Sequence, residues 1–235
     1  MGHALAAKVN ADVVCWDVGK IGAEANHLQA WRWLAELPTE WGVVLEDDVI
    51  PCEGFTEQLT QALYYAPTSI VSLYLPRGRP PHWQESIGKA VAADVSWLTA
   101  PAMMSCQGYA MRTEFFAQHR KILNRINLHR YPIDEAITSW VSHIRNPVCD
   151  VSYALPSLVD HRDGPTLIDH WDGPRDGERA LMTWDSDPTG ASLPRVRKAW
   201  RFGAHSNWDS TSIALDIPLT MKETTSGATR DVTRV

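Results

Sequence analysis

Trp41-Gly42-Val43-Val44-Leu45-Glu46-Asp47-Asp48-Val49-Ile50-Pro51 is the stretch that sets the fold class. Its apolar run has the character of a buried strand. The run ends on three consecutive acids, and a proline then stops it. Carboxylates at the tip of a buried strand are costly unless a cation or hydrogen-bond donors satisfy them. Open α/β sheets bind their ligands outside the carboxyl ends of strands. The acidic tip is therefore where chemistry is expected.

Elements alternate on both sides of this strand. Upstream, Ile21, Ala25, Leu28, Trp31 and Ala35 fall on one face, which predicts a helix over Ile21–Leu37 that Pro38 ends. Ala4–Val9 has helical character, and Ala11–Trp16 has that of a short strand. A doubly wound domain usually opens with a strand, so either that strand is absent or it precedes the start of this sequence. Downstream, Phe55, Leu59, Ala62 and Leu63 predict a helix ending before Pro67, and Ser69–Leu75 a central strand. Pro76–Trp83 is too rich in Pro and Gly for a regular element. Ser96–Leu98, Ser105–Met111 and Val148–Ala154 are further candidate strands. Thr113–Ile126 and Pro132–Ile144 carry the spacing of amphipathic helices. The stretch from Asp169 to Leu193 looks irregular, and Arg195–Phe202 reads as a basic, aromatic amphipathic helix. Strands alternating with helices predict an α/β layered fold. A single domain over residues 1–205 is expected, followed by a Thr/Ser-rich extension over 206–235.

The chain has 235 residues, a length suited to one such domain. Its net charge is −6, which does not favour nucleic acid at long range. A local patch of Arg195, Arg197, Lys198 and Arg201 interleaved with Trp200 and Phe202 works the other way. Four dispersed cysteines without a C-x-x-C pair are expected to be reduced thiols of a cytoplasmic protein. Neither a secretory signal nor an apolar run long enough to span a bilayer is visible. Eleven tryptophans supply core packing and also candidate faces for stacking on a sugar or a base.

Hard carboxylate oxygens suit Mg²⁺ or Mn²⁺ bridging a diphosphate, so Glu46, Asp47 and Asp48 form a candidate divalent-metal and nucleotide site. Arg77 and Arg79 flank a loop suited to cover phosphates. Asp134 and Glu135 fall in the first turn of a helix, where acids are favoured in any case. No Walker-type loop and no G-x-S-x-G elbow occurs, which argues against an NTPase or a serine hydrolase.

Val43-Val44-Leu45-Glu46-Asp47-Asp48-Val49-Ile50-Pro51 resembles the LEDDV motif of glycosyltransferase 25-like, lipooligosaccharide-type enzymes, which have the GT-A fold. The upstream helix with His27 and Trp31 is similar to one in that family. Val71–Leu75 with Arg77-Gly78 and His82-Trp83, Pro156-Ser157-Leu158-Val159-Asp160-His161, and Lys198–Phe202 look like a group of small glycosyltransferases encoded by bacteriophages of actinobacteria. The resemblance covers roughly residues 20 to 202. It implies a GT-A-like, Rossmann-related mixed sheet flanked by helices. Asp48 is then a metal ligand, with Glu46 and Asp47 on the ribose or on water of the metal shell. His161 would complete that shell, and a histidine beside carboxylates suits Mn²⁺ better than Mg²⁺. His27, Arg77 and Arg79 are implied on the nucleotide-sugar side, with a UDP-sugar as the type of donor. Asp134 or Glu135 is the implied general base, within reach of an acceptor hydroxyl.

The implied activity is metal-dependent transfer of a sugar, with inversion, to a hydroxyl of a protein, a glycan or a hydroxylated DNA base. The expected location is the cytoplasm, that of the host if a phage encodes the chain. Two other classes compete: a silent nucleotide-sugar or carbohydrate-binding module on the same fold, and a phosphoryl-transfer site built on Glu46, Asp47 and Asp48.

Overall fold

The computed structural model describes residues 2–19, 21–78, 81–92, 95–114, 117, 132–144, 150–162, 180, 198–201 and 213–216. In chain order the elements are α1 (Gly2–Val9), α2 (Ala23–Leu34), β1 (Trp41–Leu45), β2 (Val49–Pro51), α3 (Phe55–Tyr64), β3 (Ile70–Ser72) and α4 (Pro81–Ala92). They continue with β4 (Trp97–Ala100), β5 (Gly108–Arg112), α5 (Ile133–Ile144), β6 (Val151–Ala154), β7 (Val159–His161), β8 (Lys198–Arg201) and β9 (Ile213–Asp216).

A seven-stranded mixed sheet runs in the order β1-β5-β3-β6-β4-β8-β9, and β2 and β7 form a separate two-stranded sheet. The β3–β6 and β4–β8 pairs are parallel, and the other pairs of the large sheet are antiparallel. Strand alternation sends neighbouring side chains to opposite faces. Ile70, Tyr109 and Met111 join one core with Trp31 and Leu34 of α2, Trp83 and Ile87 of α4, and Ile137 and Trp140 of α5. Val71 and Ala110 join the other core with Val9 of α1 and with Phe55, Leu59 and Leu63 of α3. The fold is therefore mixed α/β, with helices on both faces of a mixed sheet. Each large apolar side chain buried this way contributes about 1.5–3 kcal/mol.

Gly42 is required where α2 crosses β1. A Cβ there would lie 2.4 Å from Leu34 Cδ2, closer than side chains approach. β1 stands at the edge of the sheet, and Val43 to Leu45 are half-buried rather than enclosed.

Several expectations are corrected. Ala11–Trp16 forms no strand. Asp17 accepts the Ile21 N–H at 2.6 Å and the Gly22 N–H at 3.2 Å, and Asn26 Nδ2 donates to Cys15 O at 3.0 Å. These side-chain bonds outcompete a ladder for so short a run. They also shorten the helix expected over Ile21–Leu37, because Gly22 takes a left-handed φ of 93° at its N-cap. Pro81 opens α4, although the Pro/Gly-rich run was expected to stay irregular through Trp83. Proline suits a first helical position, and Trp83, Ile87 and Ala90 then fall on the buried side. Arg195–Phe202 contains a strand, β8, where a helix was expected, and β9 within the 206–235 segment pairs with it.

Most of the helix expected over Thr113–Ile126, the irregular stretch from Asp169 to Leu193 apart from Ala180, and the last residues lie outside the described residues. Cys15, Cys52 and Cys106 are free thiols, and Cys149 lies outside. No helix among the described residues is long and apolar enough to cross a membrane.

Candidate functional site

The acidic tip is built by a change of sheet. Glu46 N makes the last bond to the large sheet, donating to Gln107 O at 2.8 Å. The chain then turns and enters β2, which pairs with β7 so that Val49 lies opposite His161. The Pro-Ser-Leu-Val run fixes β7 in place. Ser157 Oγ accepts the Leu75 N–H at 3.0 Å, and Leu158 N donates to Leu73 O at 2.9 Å. Cys52 N donates to Leu158 O, and Arg162 N to Asp48 O at 2.8 Å. Asp160, buried beside His161, accepts two backbone N–H groups on Oδ1, from His161 and Ala180, both at 2.8 Å. The result is that His161 Nε2 stands 3.1 Å from Asp48 Oδ2.

A second group converges on Glu46. His27, on α2, places Nε2 3.8 Å from Glu46 Oε1. Its Nδ1 contacts the Ala23 carbonyl at 3.3 Å, which requires the proton on Nδ1 and leaves Nε2 a bare acceptor in the neutral ring. Burial pulls the His27 pKa down and so favours that neutral form. Tyr109 stacks on His27 with ring centroids 6.2 Å apart, and Trp31 Nε1 donates to the Tyr109 hydroxyl. Two acceptors therefore face each other, and a proton or a cation is needed between them. Glu46 meets this in part. Burial, then the charges of Asp48, Asp134 and Asp47, push its carboxyl up to about 7, with His161 acting in the opposite sense. Its side chain keeps 32% exposure, so the carboxyl is crowded but reachable from solvent.

Asp134 belongs to the same constellation. Thr138 and Ser142 pin α5 to the segment before β5, through Met103 N at 2.9 Å and Pro101 O at 3.2 Å. This fixes α5 with the Asp134 charge close enough to act on Cys106 and Glu46. The Asp134 charge is felt by Glu46, by Tyr153 and by the Cys106 thiol, whose pKa burial already raises well above its ordinary value. Asp134 is half-buried, whereas Glu135 is exposed. The two candidates for a base are thus placed differently.

Among the described residues, no group of three or more His, Cys, Asp and Glu side chains is arranged to hold a metal. The Asp48–His161 pair nonetheless has a suitable spacing. Two adjacent ligands of an octahedral ion at about 2.1 Å stand about 3 Å apart, close to the 3.1 Å between these two atoms. Asp48 Oδ1 is shielded and has no hydrogen-bond partner among the described residues. A site with one carboxylate and one imidazole leaves most positions to phosphate oxygens and water, the usual arrangement for Mg²⁺ or Mn²⁺ on a nucleotide.

The structure thus brings together Glu46, Asp48, His161, His27 and Asp134. Asp47 sits at the same tip with its side chain exposed. Arg77 is exposed on the loop after β3, and no bond to the acids is seen among the described residues; Arg79 lies outside them. Asp160, Tyr109 and Cys106 were not singled out from sequence. The only available signal was their adjacency to His161 and to β5, which spacing alone does not rank. No family model matches the chain, and neither curated proteins nor solved structures gave a match.

Proposed function

We propose that this protein is a metal-dependent glycosyltransferase of the GT-A type that uses a nucleotide-sugar donor. The observation that carries the reading is the 3.1 Å approach of His161 to Asp48 at the tip of β1, with the Asp134 carboxylate acting on the same cluster. Asp48 and His161 would hold Mn²⁺ or Mg²⁺, which when bound neutralises charge on a diphosphate leaving group.

The remaining steps belong to the chain. Glu46 accepts hydrogen bonds from donor hydroxyls. His27, held by Tyr109 and Trp31, keeps Glu46 oriented. Asp134 takes the proton from the acceptor hydroxyl as that oxygen bonds to the anomeric carbon and the bond to the diphosphate breaks. One displacement inverts configuration, and the electron pair leaves with the nucleoside diphosphate. Glu135, exposed, is a bystander. Arg77 and Arg79 would pair with the phosphates in this reading.

The test is product release. The protein is incubated with UDP-, GDP-, CMP- and TDP-sugars, Mn²⁺ and methyl glycosides as acceptors, and free nucleotide is measured by chromatography. Release from one donor class, lost in Asp48→Ala and in Asp134→Asn, supports the transferase. Tight retention of an intact donor by the wild type would point instead to a binding module on the same fold.

A further inference from the structure

We propose that Trp16 and Asp47 form a subsite for a pyranose ring of a neutral carbohydrate acceptor, a step that rests on the transferase reading and names its second substrate. α1 packs in the Phe55–Leu59 core and α2 in the opposite Trp83–Trp140 core. The connection between α1 and α2 therefore passes from one face of the sheet to the other. Apolar exposure is concentrated there. Of seven large apolar side chains exposed among the described residues, four lie on this segment: Val13 at 44%, Trp16 at 48%, Val18 at 82% and Ile21 at 41%.

Trp16 is not a stray surface residue. Its ring is braced by α1, with Cη2 3.4 Å and Cζ3 3.7 Å from the position a Cβ on Gly2 would take. Asp47 Cβ lies 3.9 Å from that same point, so the indole and the middle acid of the tip flank one spot. His3 closes one side, its ring centroid 4.7 Å from that of Trp16 at 56°. Trp16 nonetheless keeps about half of its surface exposed. Asp47 makes no hydrogen bond or ion pair among the described residues.

A half-exposed indole beside an uncommitted carboxylate matches a pyranose on both counts. The ring C–H groups stack on the indole, and hydroxyls along the edge donate to the carboxylate. Phosphate is disfavoured, because the spot adjoins the Glu46-Asp47-Asp48 tip. The same field disfavours a DNA acceptor. Asp47 and Asp134 both act on the Glu46 carboxyl, which links this spot to the proposed base.

Fluorotryptophan-labelled protein tests this by fluorine NMR, with the Trp16 signal identified by its loss in Trp16→Phe. Methyl glycosides of glucose, galactose, mannose and N-acetylglucosamine are titrated, with and without UDP and Mn²⁺. At least one glycoside should move the Trp16 signal. Asp47→Asn should weaken that glycoside roughly ten-fold, as expected for losing a charge-assisted hydrogen bond. UDP alone should leave the signal in place. A signal that no glycoside moves, or that UDP alone or duplex DNA moves, would overturn the proposal. The two readings fail separately. UDP and Mn²⁺ binding without any glycoside response removes the subsite and leaves the transferase. A glycoside response in a protein that binds no nucleotide keeps the subsite and removes the transferase.

Discussion

His161 Nε2 meets Asp48 Oδ2 at 3.1 Å, although 113 residues separate them in sequence. The two-stranded β2–β7 sheet makes this contact, and its register fixes it. A slip of one residue would turn His161 to the other face. If the pair holds a divalent ion, either partner's loss should be felt in metal affinity before it is felt in folding. Asp48→Ala and His161→Ala should each weaken Mn²⁺ at least about ten-fold in a calorimetric titration. The metal-free melting temperature of Asp48→Ala should not fall, because Asp48 adds to the charge crowding on Glu46. Undiminished Mn²⁺ affinity in both variants would remove the pair from the metal site.

Asp134 and Glu135 are adjacent but differently placed, half-buried and exposed respectively. Asp134→Asn should keep donor affinity and lose turnover by roughly 10²–10⁴-fold, the range for a general base. Glu135→Gln should stay near the wild-type rate. Steady-state rates with donor binding measured in parallel decide the matter. The reverse pattern would exchange the two roles.

Glu46 gives a pH signature. Its pKa in the folded protein is about 7, against an ordinary 4.5. The folded state thus holds a proton that the unfolded state has released between these values. Stability from this group falls as pH rises from 4.5 to about 7 and then levels off. His27 acts in the opposite sense, since its lowered pKa makes folding less favourable below its ordinary 6.5. The comparison is therefore wild type against Glu46→Gln in urea unfolding across this range. The wild type should lose stability relative to the variant as pH rises, and parallel curves would contradict the crowding of Glu46.

Gly42→Ala should destabilise by about 1–3 kcal/mol, the cost of overpacking. Its Cβ would press on Leu34 at Cδ2, Cγ and Cβ together, so rotation of one methyl does not relieve it. Leu34→Ala in the same chain should recover part of the loss. A double-mutant cycle by chemical denaturation measures the coupling, and strict additivity would mean that α2 simply moves away.

Elements whose signal is local were legible in sequence. The apolar runs of β1, β3 and β6 and the helical spacing of α3 and α5 lie in contiguous residues. The acidic tip and the late histidine were legible as chemistry. Their meeting was expected only through the family resemblance, because it depends on a small sheet formed by two short strands far apart in the chain. α4 was hidden by prolines that mark its start rather than an irregular loop. Ala11–Trp16 had the composition of a short strand, but the bonds of Asp17 to Ile21 and Gly22 and of Asn26 to Cys15 hold the segment outside the sheet. Spacing could not choose between Asp134 and Glu135, since first-turn neighbours point in different directions and only the packing of α5 decides which one faces Glu46.

The most direct measurement is a thermal-shift panel of UDP-, GDP-, CMP- and TDP-sugars, each with Mn²⁺ and with EDTA, on the wild type and on Asp48→Ala. A donor at ~100 times its dissociation constant adds about 2.7 kcal/mol of stability, which is readily visible as a melting shift. One nucleotide class should raise the melting temperature, and the rise should vanish with EDTA and in Asp48→Ala. No shift with any donor, or a shift indifferent to both EDTA and Asp48→Ala, would contradict a metal-dependent nucleotide-sugar site at the tip of β1.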